Sequence, residues 1–399
     1  MSLGRMRFLF TFGLYVIAAT ALAACQPQPD PVATLAVPAP TSAPDTAYGS
    51  DSNIVLVVGG DVQLMRPSWK EYHPISLAAT VHRGDLLQLA AGATATVLCD
   101  DLSSWAVPTG GPQGVSNGCS PPGRPDLVRD NGVRLGPARN VTAEVPYSLS
   151  PRRTNIMTPR PLLRWQSVAN ATSYTVRLQS NDRRVIWEQT VTGTEVQYSG
   201  PPLVSGMVYS FVVKTVDGQF SEDETTPLLG FRLLTGEEMA RVAALVGRVD
   251  ALSLPDEARS LALAHIYRSQ NLGGLALIAD AIQQVEQLLQ QEVQSPALYQ
   301  LLGDLYRDID LRHEARAAYE KALDLAASTE DIPGQAAALA ELGQLLNLGQ
   351  CEERRAAPER LRQAAARYEA LGDLERRDEV MTWMPTNPPR VCPTATPGP

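Results

Sequence analysis

The apolar residues of this chain change their spacing once, near Thr235, and that change divides the molecule into a β part and a helical part. Before it, the runs Ile54-Val55-Leu56-Val57-Val58, Val62-Gln63-Leu64-Met65-Arg66, Asp85-Leu86-Leu87-Gln88-Leu89 and Ala93-Thr94-Ala95-Thr96-Val97-Leu98 are separated by turns at Gly59-Gly60, Gly84 and Gly92. That pattern predicts short antiparallel strands. Residues 161–165, 174–178 and 209–213 continue it, the last ahead of a turn at Asp217-Gly218. After Thr235 the period becomes 3.6. Thr235-x-x-Glu238 reads as a capping box, and Ser295-Pro296 as an N-cap followed by a first-turn proline. Because 399 residues exceed what one core usually serves, the expected fold is multidomain β + α. It comprises a small antiparallel β domain (51–146), a β-sandwich (147–235) and an all-α helical array (236–385).

The N-terminus carries an address. Arg5 and Arg7 precede an apolar run over residues 8–22, and Leu22-Ala23-Ala24-Cys25 follows. The run has the form of a signal peptide and is too short to span a bilayer comfortably as a permanent helix. Leu22-Ala23-Ala24-Cys25 resembles the bacterial lipobox. That resemblance implies that residues 1–24 are removed, that the thiol of Cys25 takes a diacylglycerol, and that acyl chains hold the exported protein to the cell membrane or outer membrane, facing the periplasm or exterior. Residues 25–50 are rich in Pro, Ala and Thr with few large apolar side chains, so they read as a tether. The Pro-rich tail 386–399 has the same character.

With Cys25 assigned to lipid, Cys99, Cys119, Cys351 and Cys392 remain, which permits three connectivities in an exported protein. Nearest-neighbour pairing is favoured: Cys99 with Cys119 would close a Gly/Pro/Ser-rich loop at a gain of roughly 3 kcal/mol, and Cys351 with Cys392 would fold the tail back. No Cys-x-x-Cys occurs and the four histidines are scattered, so no metal is expected. Charge is uneven. Residues 236–385 hold 15 Lys+Arg against 25 Asp+Glu, a balance of −10, while residues 1–235 carry 18 of each and Arg390 adds +1. An acidic array without a basic stripe repels phosphate backbones, which excludes nucleic acid as the expected partner.

In the first β segment, Gly60-x-Val62-x-Leu64, Trp69, Arg83-Gly84-Asp85-x-Leu87 and a strand ending in Cys99-Asp100-Asp101 resemble the FecR-like β module of bacterial envelope proteins. The resemblance implies a small β fold. It carries no iron-signalling role, because the closing Asp-Gly is replaced and the transmembrane setting of that family is missing. In the second segment, Trp165 in an early strand and Leu203-x-x-Gly206-x-x-Tyr209 resemble a fibronectin type III or immunoglobulin-like sandwich. That implies a core role for Trp165 and a Tyr209 hydroxyl bonded to the backbone just before it.

The helical segment repeats. Tyr299-x-x-Leu302-Gly303-x-x-Tyr306 and Ala315-x-x-x-Tyr319-x-x-Ala322 resemble the 34-residue tetratricopeptide repeat. Leu339-x-x-Leu342-Gly343-x-x-Leu346 with Ala364-x-x-x-Tyr368 restarts it, with extra residues expected as a turn at 328–334 and an insertion at 351–358. Leu263-Ala264-x-x-Tyr267 and Ala281-x-x-x-Val285 form an earlier copy, interrupted at Asn271-Leu272-Gly273-Gly274. Small residues at Gly303 and Ala315 would let paired helices approach, with Tyr306 and Tyr319 filling the gaps. The resemblance implies a superhelix whose groove holds a protein or peptide ligand. Its lining would be His265, Arg268, Gln300, Asp304, Arg307, Asp308, Gln344 and Asn347.

No catalytic site is expected. Gly114-Val115-Ser116-Asn117-Gly118 fits the letters of a hydrolase elbow but lies in a Pro/Gly loop. Gly84 in Arg83-Gly84-Asp85 reads as a positive backbone angle. Glu314 in His313-Glu314 reads as a helix-surface residue, and Asn140 and Asn170 as glycosylation acceptors by rule that a bacterial lipoprotein leaves bare. No phosphate loop or dinucleotide fingerprint occurs, so no cofactor is expected. Together these features point to a membrane-anchored, non-catalytic scaffold for protein–protein interaction. In the alternative, the two β domains bind cell wall or glycan and the repeats serve as a spacer.

Overall fold

The computed structural model describes residues 53–119, 145–218, 221, 229–269, 276–386, 389 and 392. Cys25, the signal peptide, the tether, Asn140 and the interruption at 271–274 lie outside the described residues. An N-terminal β region is followed by an all-helical region, a mixed multidomain β + α architecture.

The first β region contains β1 (Asn53–Gly59), β2 (Val62–Met65), β3 (His73–Pro74), β4 (Thr80–Val81), β5 (Leu86–Leu89), β6 (Thr94–Leu98), β7 (Ser104–Ala106) and β8 (Gln113–Gly114), then one helical turn, α1 (Val115–Gly118). These strands make two four-stranded sheets, in the orders β4-β1-β6-β7 and β3-β2-β5-β8, with antiparallel pairing throughout. Gly60 turns the chain from one sheet to the other with φ +77°. Gly84 is not in that backbone region. Its side chain position is crowded instead by Pro67, whose Cγ would lie 3.1 Å from an added Cβ. The disulfide Cys99–Cys119 ties the end of the first sheet to α1. Ser116 is exposed on that turn, which Val115 N anchors by donating to Asp85 O (3.0 Å).

The second β region holds β9 (Ser148–Ser150), β10 (Thr154–Ile156), β11 (Leu162–Trp165), β12 (Tyr174–Ser180), β13 (Val185–Val191), β14 (Glu195–Gln197), β15 (Val208–Thr215) and β16 (Phe231–Leu233). A three-stranded sheet, β14-β11-β9, faces a five-stranded one, β10-β16-β15-β12-β13, in which β10 runs parallel to β16. Leu163, Trp165, Leu178, Tyr198, Phe231 and Leu233 are fully buried between them. The Tyr209 hydroxyl accepts from Val204 N at 2.9 Å, so the corner before β15 closes on its own backbone.

The helices are α2 (Gly236–Asp250), α3 (Asp256–Arg268), α4 (Ile278–Gln290), α5 (Pro296–Asp308), α6 (Arg312–Ser328), α7 (Ile332–Asn347), α8 (Cys351–Leu371) and α9 (Leu374–Thr382). Both starts read from sequence carry their caps: Thr235 and Glu238 form a capping box, and Ser295 Oγ accepts from Leu298 N with Pro296 in the first turn. Successive helices from α3 to α8 pack as pairs, and α9 closes the end against α8. The residues expected as a turn at 328–334 mostly extend helices, since only 329–331 separate α6 from α7. The expected insertion at 351–358 is the first part of α8 and includes Pro358. Longer helices absorb extra residues without unpaired backbone. Cys351–Cys392 is the second disulfide and returns the tail to the start of α8.

The apolar clusters cross the boundary between sheet and helix. Ile54, Leu56, Ala78 and Leu98 share one cluster with α2 to α5, while Val55, Val81, Leu87 and Val97 share another with Leu339, Leu361, Tyr368 and Val380. Polar contacts follow the same seam. Lys70 N donates to Leu371 O (2.9 Å), Trp69 Nε1 to Asp373 Oδ2 (3.4 Å) and Ser295 Oγ to Leu77 O (2.5 Å). On the other side, Arg152 Nε donates to Ile309 O (2.9 Å), and Asn155 N to Ala276 O (3.0 Å). Glu314 is not a free surface residue, because it accepts from the Tyr147 hydroxyl at 2.5 Å. The described residues, all of which follow Asp51 and Ser52, belong to one compact unit.

Two stability tests follow from this packing. An alanine methyl at Gly303 would sit 2.5 Å from the Tyr319 ring, which is fully buried and hydrogen-bonded through its hydroxyl to Asp304 Oδ1 (2.8 Å). Gly303→Ala should therefore lower stability by about 1–3 kcal/mol in denaturant melts, despite the helix-propensity gain of about 1 kcal/mol. Asp85 is fully buried, and desolvation raises its pKa to about 6 in spite of Arg66 Nε at 3.7 Å. A carboxyl raised in the folded state contributes stability that is complete below pH 3.8 and is lost as pH rises through 6. Asp85→Asn should flatten the fall in stability between pH 4 and 6 measured by urea titration at each pH; an unchanged slope would contradict this.

Candidate functional site

The eight residues placed on the groove by the repeat pattern fall on three successive first helices of the pairs: His265 and Arg268 on α3, Gln300, Asp304, Arg307 and Asp308 on α5, and Gln344 and Asn347 on α7. Three of them, Arg268, Asp304 and Asp308, are tied to one another across helices, and Arg307, Gln300 and Asn347 reach partners outside the eight. Arg268 donates to Asp308 Oδ2 (3.1 Å) and Asp304 Oδ2 (3.0 Å). Arg307 reaches Asp304 Oδ1 at 3.6 Å and makes a closer pair with Glu341 on α7. Tyr319 from α6 adds its hydroxyl to Asp304. Gln300 Nε2 donates to Gly334 O (3.2 Å), and Asn347 Nδ2 to Trp383 O (3.0 Å).

These contacts step along the array by one repeat. The sequence separations are 36 for Arg268 to Asp304, 34 for Arg307 to Glu341, 34 for Gln300 to Gly334 and 36 for Asn347 to Trp383. In these four contacts a polar residue meets a partner 34 or 36 residues further on, and with the Arg268–Asp308 and Arg307–Asp304 pairs they make a charge ladder running from α3 to α7.

Side-chain exposure along this ladder lies between 11% and 26%, low enough that each charge depends on its partner. Burial opposes the Arg268 cation, but Asp308 and Asp304 outweigh it and raise its pKa further. Arg307 is held charged in the same way by Glu341, Tyr319 and Asp304. Burial pushes Asp308 and Glu341 above the usual carboxylate range, with Arg268 and Arg307 respectively pulling them back. His265 is buried, and Gln344 is half-buried with no hydrogen bond to a described residue.

The sequence matches no known protein family and no curated protein. Function therefore rests on geometry. Among the described residues, no helix is long and apolar enough to cross a membrane, and no group of three or more His, Cys, Asp or Glu could hold a metal ion. The hydroxyl of Ser116 makes no hydrogen bond to a described residue, and an added Cβ at Gly118 would overlap the Trp105 ring, so that glycine is needed for packing.

Glu341 and Tyr319 complete the ladder from outside the eight residues: the repeat pattern marks Tyr319 only as a gap-filler between helices, and it does not mark Glu341. Glu341 could have been found by adding one repeat to Arg307.

Removing Arg307 leaves Asp304 and Glu341 partly buried without their shared cation. Arg307→Ala should cost roughly 2–4 kcal/mol, and the Arg307→Ala, Glu341→Ala double variant should cost at least about 1 kcal/mol less than the sum of the two single changes. Additive losses in equilibrium unfolding would show that the pair is not coupled.

Proposed function

We propose that the chain is an exported envelope lipoprotein, anchored through Cys25, whose tetratricopeptide-type array binds a segment of another protein without catalysing a reaction. The observation that carries this reading is the ladder: half-buried polar side chains along α3, α5 and α7, each bonded to a side chain or carbonyl 34 or 36 residues further on. Such a row offers a partner alternating cations, carboxylates and the amides of Gln300, Gln344 and Asn347, which suits an extended polypeptide with its own repeating donors and acceptors. The two closed disulfides fit an oxidising compartment beyond the membrane. The rival reading, in which the repeats merely space glycan-binding β domains, fits less well. A spacer has no reason to share its apolar clusters with the first β region.

Two measurements on the full chain in cells test this. Labelling with an alkyne fatty acid should mark the wild type and vanish in Cys25→Ser. A photo-crosslinking residue at Gln344 should give a discrete protein adduct that is lost when Arg307 is reversed to Glu, while the same residue at exposed Arg362 on α8 should give none. Adducts at both positions, or at neither, would remove the scaffold reading.

A further inference from the structure

The second sandwich gathers exposed apolar side chains at one end. Strand register places them together: Leu162 pairs with Gln197 at the start of β11, Val185 opposes Gln179 beside the β12–β13 turn, and Ser180 opposes Tyr209 where β15 begins. Leu162 is 42% exposed, Val185 46%, Val204 62% and Met207 46%. The loops that present them are fixed by their own hydrogen bonds. Leu203 N donates to Pro159 O (3.1 Å), Tyr198 N to Pro161 O (3.0 Å), and Val204 N to the Tyr209 hydroxyl.

The same end is basic in an otherwise acidic chain. Arg160, Arg183 and Arg184 are exposed, and none lies within ion-pair distance of a described carboxylate. Asp182 is the one acid on the β12–β13 turn, and its carboxylate is bound by Ser180 Oγ and by Arg184 N (3.5 Å). Nearby, Glu237 and Glu238 are paired with Arg241 and Arg232. Three cations against one anion leave this tip at +2, on a chain whose net charge is −9.

We propose that this end of the sandwich docks on an anionic lipid surface, with Leu162, Val185, Val204 and Met207 entering the interface and Arg160, Arg183 and Arg184 meeting headgroup phosphates. Apolar prongs from three separate connections suit a fluid interface that needs no matching shape. Aliphatic side chains beside an arginine excess fit a membrane surface, where apolar groups enter the acyl boundary and cations meet anionic headgroups. The contact does not depend on acylation of Cys25, since every group in it belongs to the sandwich.

The test uses the chain from residue 53 to 399, which carries every apolar cluster of the described residues and omits Cys25, so no acyl chain contributes. Sedimentation with vesicles of phosphatidylcholine containing about a third phosphatidylglycerol should show binding that weakens with salt, and vesicles of phosphatidylcholine alone should bind far less. The pair Val204→Asp, Met207→Asp and the triple Arg160→Gln, Arg183→Gln, Arg184→Gln should each weaken partitioning at least about tenfold. Val216→Asp, an exposed apolar site at the opposite end of the sandwich, should leave it unchanged, and all three variants should keep the wild-type Tm. The proposal is overturned if anionic vesicles are not bound or if Val216→Asp weakens binding equally. It is also overturned if sedimentation velocity shows a dimer that the Val204, Met207 pair converts to monomer, since a second copy would then be the occupant.

Discussion

The structure depends on one strand being apolar on both faces. Within β1, a register shift between Val55 and Val57, opposite Val97 and Thr96, bulges the strand. Ile54 and Leu56 then join the cluster built with α3 and its neighbours, while Val55 joins the interior of the first β region. A sheet with one solvated face would place polar residues at alternate positions. Here neither face of the strand can be left in water, so the helices are required to cover it. That requirement fixes the first β region against the array, and Trp69, Lys70 and Ser295 add directional bonds along the seam.

Once the helices are held in this way, the acidic character of the array becomes a constraint of its own. Carboxylates at Asp304, Asp308 and Glu341 lie close together at low exposure, and their mutual repulsion is relieved by Arg268 and Arg307. Because the partners sit one repeat apart, the relief also sets the spacing between successive first helices. Close approach at Gly303 and Gly343, where an added Cβ would meet Tyr319 and Leu361, brings the second helix of each pair into the same register. The ladder that we propose as a peptide site is thus also a structural element, and binding there would exchange internal pairs for external ones.

Much of this was legible in the sequence, because the signals are local. Helix starts at Thr235 and Ser295 follow from side chains that reach only three residues ahead, and the long strands follow from alternation. The disulfide partners are near in sequence. What escaped has a different range or a weaker pattern. β13 carries Glu188, Gln189 and Thr190 among its apolar residues because it is an exposed sheet edge, and β3, β4 and β8 are two residues long. The role of Glu314 required knowing that Tyr147, 167 residues earlier, would reach it. The docking of the first β region onto the helices left one local trace, the unbroken apolar run from Ile54 to Val58. The ladder was half legible: its residues share helix faces by spacing, but which carboxylate meets which arginine is decided by how the pairs stack.

The most direct test of the shared seam is hydrogen exchange on Leu56→Ala, followed by mass spectrometry. Truncating this buried side chain should cost about 2–5 kcal/mol. If β1 and the helices are one cooperative body, amides of α3 and α5 should exchange faster by the same factor as those of β1 and β6, while the strands of the second sandwich core keep their protection. Acceleration confined to residues 53–119 would show that the helices stand without the strand they cover, and would contradict the account.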